Sequence, residues 1–219
     1  MKALLDYMWD ILFPPKCMFC GKLLSEEETS CCKKCRTELP YYTVAERKLS
    51  FIEAVASAFC YQDNVRESIH RFKFGGRAFY AQSYGIWMAE AVREKIKEPF
   101  DVISWVPCSG WRKWQRGYDQ AQELALILSK ELGVPCVQLL KKVRNNRRQS
   151  GLKGEAARRA NVMGVYRTVC SPADGMERVL LVDDVLTTGA TMEECAKTLL
   201  LSGYYGICCA VVAAKREKV

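Results

Sequence analysis

The sequence predicts an α/β fold, a parallel sheet flanked by helices, with a small N-terminal four-cysteine module expected to hold zinc. Three features point there. Apolar runs of strand length alternate with segments of helical period, the order that builds a parallel sheet covered by helices. Two Cys-x-x-Cys pairs fall within the first 35 residues. No apolar run reaches the roughly 18 residues of a membrane span, so the 49% hydrophobic content reads as the core of a globular chain.

Residues 1–13 are apolar but interrupted by Asp6 and Asp10, and Pro14-Pro15 follows. That is the pattern of a short amphipathic helix, not of a cleaved signal. Twelve cysteines without such a signal read as reduced thiols and a cytoplasmic chain. Polar residues 43–50 make a linker, which divides the chain into an N-terminal module (1–50) and a larger domain (51–219).

In the module, Cys17-Met18-Phe19-Cys20 is followed by Cys32-Lys33-Lys34-Cys35. Two residues between thiolates let both sulfurs of one turn face one ion, and a second such turn completes a tetrahedral shell. Gly21 suits the turn after the first pair. Four thiolates leave no open position for water, so a structural zinc is expected at Cys17, Cys20, Cys32 and Cys35, with rubredoxin-like iron as the alternative. Cys31 competes with Cys32 for a place, and the gap between the pairs is shorter than usual. The other seven cysteines, scattered in apolar runs, read as small buried hydrophobes.

Strands are expected over 55–61 and 101–106, with helices over 64–74 and 78–97 separated by Gly75-Gly76. One amphipathic helix is read over 115–132, with Leu124, Leu128 and Leu132 on a single face and Gly133 as its stop. Strands follow over 134–139 and 164–169. The C-terminal unit is a strand over 179–182, a helix over 190–202 closed by Gly203, and a strand over 206–213.

The most specific string runs from Val179 through Asp183-Asp184 to Thr187-Thr188-Gly189-Ala190-Thr191. A buried strand ends in two carboxylates, and a Thr/Gly turn then opens a helix. Backbone N–H groups at a helix start, aided by hydroxyls, cradle a phosphate. The carboxylates repel that phosphate and fit neighbouring sugar hydroxyls or hydrated Mg²⁺ instead. A phosphate beside a diol describes a ribose 5-phosphate. The chain lacks a Walker A loop and a Gly-x-Gly-x-x-Gly turn, and Gly151-Leu152-Lys153-Gly154 is a weak match to a KH loop.

The net charge of +8 is concentrated: residues 141–159 hold eight cations against the single anion Glu155. Such a segment reads either as a site for an anionic partner or as a solvated loop with no ligand.

These strings identify a family. The 179–191 string resembles the 5-phosphoribosyl-1-pyrophosphate (PRPP) signature of type I phosphoribosyltransferases. The whole chain resembles the ComF family, which joins a cysteine zinc module to such a domain. The supporting strings are Leu12-Phe13-Pro14-Pro15-Lys16-Cys17, the segment from Ile69 to Gly76, Arg116-Gly117-Tyr118-Asp119-Gln120-Ala121, and Gln149-Ser150-Gly151-Leu152. The resemblance implies the parallel-sheet type I phosphoribosyltransferase fold. It implies that Asp183 and Asp184 hold the ribose hydroxyls, and that Thr187, Thr188, Gly189, Ala190 and Thr191 hold the 5-phosphate. Residues 107–112 would be the pyrophosphate loop and 144–161 a hood. Arg112, Arg147 and Arg148 would be the cations at the polyanionic ligand, with Mg²⁺. Three positions depart from the family pattern: Asp119 in place of Asn, Asn146 in place of Thr, and Cys108-Ser109-Gly110-Trp111 as an uncommon pyrophosphate loop.

Two readings follow. In one, the chain is a transferase that displaces pyrophosphate at the anomeric carbon, with Asp183, Asp184 and Arg112 as catalytic residues; no residue identifies the acceptor. In the other, it is a binding module in the DNA uptake of natural competence, as the resemblance implies. Single-stranded DNA and a competence helicase are then its candidate partners. Stacking on single strands needs aromatics among cations; residues 141–159 have none, whereas 111–118 interleave Trp111, Trp114 and Tyr118 with basic residues. That stretch reads equally as a loop and helix start whose Trp residues pack on the core. The lone His70 reads as a surface or packing residue.

Overall fold

Four strands, β1 (Ala54–Cys60), β2 (Val102–Trp105), β5 (Arg178–Leu186) and β6 (Tyr205–Ala214), pair in parallel in the order β1-β6-β5-β2. The structure, a computed structural model, describes residues 14–43, 48–144 and 160–216. The helix expected over 1–13, part of the linker, and Asn146, Arg147, Arg148 and Gln149–Leu152 lie outside the described residues.

The strands are apolar almost throughout because both faces of the sheet are covered. The strand pleat sends alternate side chains to opposite faces. Leu180 and Val182 pack in one hydrophobic cluster, Val179 and Leu181 in another. Helices α2 (Asp63–Phe74), α3 (Tyr80–Lys95) and α5 (Gln120–Leu132) cover the first face. Helix α6 (Ala190–Leu200) and a hairpin of β3 (Leu140–Lys142) and β4 (Tyr166–Thr168) cover the second. Exposed strand edges are a liability for edge-to-edge pairing, and both edges here carry chain. Tyr42 N donates to the Ala58 carbonyl (3.0 Å) and Cys60 N to the Pro40 carbonyl (2.7 Å) beside β1. Beside β2, Ile103 donates to Pro135 (2.8 Å) and accepts from Val137 (2.9 Å).

The cysteine module is seated on this domain by the two residues inside its first Cys-x-x-Cys. Met18 and Phe19 are buried, and the Phe19 ring meets Phe59 of β1 at 6.0 Å, Trp87 at 5.6 Å and Tyr84 at 6.5 Å. Such offset and edge contacts add to the area buried by an aromatic ring. Arg71 of α2 then clamps the same turn, donating to the carbonyls of Met18 (2.8 Å) and Phe19 (2.7 Å).

Three expected elements differ. The helix read over 115–132 is two helices, α4 (Gly110–Arg116) and α5. Gly117 caps the first in the left-handed conformation (φ 81°), and the Asp119 side chain caps the second. These stop and start signals outweigh a continuous apolar period. The strand read over 134–139 is a single parallel bridge, Ile103 with Cys136, followed by the hairpin strand β3. Strand β5 does not end at the acidic pair: it pairs with β6 as far as Leu186 and Ala214.

Candidate functional site

The sulfurs of Cys17, Cys20, Cys32 and Cys35 lie within 4.8 Å of one another. The first pair sits on a turn closed by Gly21 N donating to the Cys17 carbonyl (2.9 Å). The second opens helix α1 (Lys33–Glu38), whose N-cap is Cys32. Backbone N–H groups point at the sulfurs: Cys32 N at Cys17 Sγ and Cys35 N at Cys32 Sγ, both 3.4 Å. Burial works against a Cys17 thiolate, but the N–H groups of Cys20, Cys32 and Phe19 outweigh it and bring its thiol down to about 6. Burial, with the neighbouring Cys17 and Cys32 charges, pushes Cys31 up to about 12. Its sulfur donates to the Cys32 carbonyl (3.5 Å) and stands outside the four. Four clustered sulfurs with N–H donors aimed at them are a donor set that could hold a tetrahedral ion.

A second centre is a cavity of 870 Å³ at the carboxyl ends of β2 and β5, where open parallel sheets bind ligands. It brings together Asp183, Asp184, Thr187, Thr188, Gly189, Ala190, Thr191 and Arg112. The strand pleat separates the two carboxylates. Asp184 belongs to the α2 face, where Lys73 Nζ meets its Oδ1 at 2.7 Å. Asp183 belongs to the other face, and its field reaches Lys142, Tyr166 and Cys195. Burial, together with the adjacent Asp184 charge, raises the Asp183 carboxyl to about 8, against the pull of Lys73 and the Asp184 N–H (2.8 Å). Carboxylate oxygens are the hard donors Mg²⁺ prefers, so the donor type fits that ion.

Helix α6 starts at Gly189 (φ 86°), an N-cap that has no side chain of its own to bond the first turn. The first amides of a helix have no intrahelical acceptor, which makes this end a natural anion seat. A Cβ on Gly189 would stand 2.5 Å from Leu49 Cδ2 and displace it, and the positive φ would strain any other residue, so glycine is favoured here. Leu49 and the Ser50 N–H, which donates to Glu193 Oε1 (3.0 Å), buttress the turn from outside.

The 107–112 loop is tied to the protein itself. Asp119 Oδ2 accepts from Cys108 N (2.9 Å), and Ser109 Oγ accepts from Arg112 N (3.4 Å). Asp119 is buried and its role is acceptor-only, which a carboxylate meets as well as an amide would. Two of the loop's N–H groups are thereby engaged before any ligand arrives.

Sequence reasoning missed two cations. Lys73 was visible only as part of a family string, and Lys142 as one of eight charges in the basic segment. Lys142 lines the cavity over the Tyr166 ring (5.6 Å), and burial, then the Arg112 charge, lowers it to about 8. The mouth of the cavity carries Phe74 and His70, their rings 4.8 Å apart, with Arg116 over Phe74 at 4.8 Å.

Comparison with known proteins finds two domain families in the chain. Residues 8–46 match the double zinc ribbon domain and residues 119–219 the phosphoribosyl transferase domain. The chain is similar to Competence protein ComFC of Bacillus subtilis (strain 168), 28% identical over 187 residues, 85% of this chain and 72% of that one. DNA utilization protein YhgH of Salmonella typhi is 32% identical over 142 residues, 62% of this chain and 60% of that one. Competence protein F of Haemophilus influenzae is 32% identical over 180 residues, 77% of each chain. On that extent of shared sequence, with a zinc ribbon joined to a phosphoribosyltransferase fold, the protein belongs to the ComF family.

Proposed function

We propose that the cavity binds PRPP or a related ribose 5-phosphate with Mg²⁺, and that the chain serves DNA uptake. The observation that carries the ligand is one cavity in which a split acidic pair, a helix start with a glycine N-cap and the cations Arg112 and Lys142 converge. The start of α6 takes the 5-phosphate, Asp183 and Asp184 accept from the ribose hydroxyls, and Arg112 and Lys142 face the pyrophosphate. Asp183 and Asp184 would also hold the Mg²⁺, whose bound charge would stabilise departing pyrophosphate. If an acceptor enters, the bond from the anomeric carbon to pyrophosphate breaks as the acceptor bond forms, and the protein's share is positioning and charge. The cysteine cluster is assigned a structural zinc, the ion that four thiolates suit. The role in DNA uptake rests on the names of the relatives. Among the described residues no helix is long and apolar enough to cross a membrane.

Calorimetric titration of PRPP with Mg²⁺ into wild type and an Asp183→Asn/Asp184→Asn variant tests the ligand; equal affinities would sink the assignment. Pyrophosphate release across candidate acceptors separates an enzyme from a binder.

A second reading, single-stranded DNA handling, has its own observation. Trp114 (82% exposed) and Trp111 (56%) stand on α4 beside Lys113 and Arg112, and Phe74 (49%) is exposed at the end of sequence-distant α2. Exposed aromatics among cations stack bases. A salt-sensitive gel shift with single-stranded DNA that survives Trp111→Ala/Trp114→Ala would remove this surface from consideration.

A further inference from the structure

Lys73 makes a charged contact in the cavity that the ribose-phosphate assignment leaves unused. It sits on α2, where Ile69 and Phe72 are buried in the core and Arg71 holds the cysteine turn. Packing therefore fixes the helix, and the Lys73 ammonium meets Asp184 Oδ1 at 2.7 Å in the lining of the cavity. Neither side chain is a loose surface group: 23% of Lys73 and 12% of Asp184 is exposed. An ammonium at that distance takes the oxygen a divalent cation would coordinate. Two cations on one carboxylate repel each other strongly wherever water is scarce.

We propose that Lys73 is a tethered counter-ion that excludes free divalent cations from Asp184 and is drawn off it by a ligand carrying its own negative charge. The specificity this confers is for anionic sugar phosphates over neutral nucleosides, since only an anion gives the displaced ammonium a new partner. This deepens the ribose-phosphate reading and rests on it for the ligand, but the ion exchange itself can be observed with no sugar present.

The test is Mn²⁺ binding to the full chain, followed by electron paramagnetic resonance in the absence of any phosphate. Wild type and Lys73→Arg should bind weakly and alike. Lys73→Met and Lys73→Gln should bind at least about tenfold tighter, because the competing charge is gone. Adding Asp184→Asn to either should cancel that gain. Using two neutral replacements protects the test against one of them folding badly, with circular dichroism as the check. Unchanged or weaker Mn²⁺ binding in both neutral variants overturns the proposal, and so would a gain that persists without Asp184. A second arm titrates PRPP and, separately, ribose 5-phosphate in chelator. The neutral variants should bind both more weakly than wild type, while Lys73→Arg holds its affinity; equal affinity across the variants also overturns the proposal. If the Mn²⁺ result holds and neither sugar phosphate binds wild type, the ligand assignment has failed while the exclusion of free cations by Lys73 stands.

Discussion

Among the described residues, the four-cysteine cluster and the acidic pair are partnered differently. At the cysteine cluster two of the sulfurs, Cys17 and Cys32, receive backbone N–H groups at 3.4 Å from turns of their own module. At the acidic pair the partner is a long side chain from another element, the Lys73 ammonium. Backbone donors are fixed by the turn and cannot leave; an ammonium on a four-carbon stem can. The first arrangement suits an ion that stays for the life of the fold, the second a ligand that comes and goes.

The largest effect should come from breaking the permanent site. Cys32→Ser should lower zinc from about one per chain to near none by mass spectrometry and unfold the module, since metal binding and folding are one event in such sites. Chelator treatment of wild type should do the same. If Cys32→Ser keeps its zinc while Cys31→Ser loses it, the ligand set is wrong.

Next is the joint between the two regions. Phe19→Ala removes the ring that packs on Phe59, Trp87 and Tyr84 and should cost about 3–5 kcal/mol in denaturant unfolding. Loss of the module alone, with the rest unfolding at the wild-type midpoint, would show that the two regions do not share their stability.

Smaller effects belong to the exchangeable site. Asp119→Ala removes the cap of α5 and the acceptor of Cys108 N, and should cost about 1–2 kcal/mol; Asp119→Asn should restore most of it. Pyrophosphate affinity should fall with the alanine variant if the tie preorganises the loop, and rise if it occupies donors the ligand needs.

The smallest concerns pH. Lys142, lowered by burial and by Arg112 to about 8, is a cation below that value and neutral above it. The advantage of wild type over Lys142→Met in phosphate binding should be present near pH 7 and fade by about pH 9. A constant advantage across that range would mean that Lys142 acts through packing on Tyr166 and not through charge.

Much of the architecture was legible because it is local. The cysteine spacing, the apolar strand before Asp183 and the turn into α6 are each written within a few residues. The 115–132 segment shows where local reading fails: Leu124, Leu128 and Leu132 share a face, and that period hid the Gly117 stop and the Asp119 start beside it. The separation of Asp183 from Asp184 was latent in the two-residue pleat, but the extent of β5 had to be known before the pleat could be applied through the pair.

Two of the cavity's cations were not legible, although Arg112 was. Lys73 and Lys142 lie in elements far apart in the chain, and composition treats each as one more positive charge. Their roles were decided when α2 packed on one face of β5 and the β3–β4 hairpin on the other, which gave each carboxylate a different partner. The sequence alone determined which donor groups the chain carries and how they are spaced, four cysteines and an acidic pair before a threonine turn, because those depend on spacing within single turns. The tertiary structure decided which charges face one another and how the module is held, because pairing across elements depends on packing that no local pattern encodes.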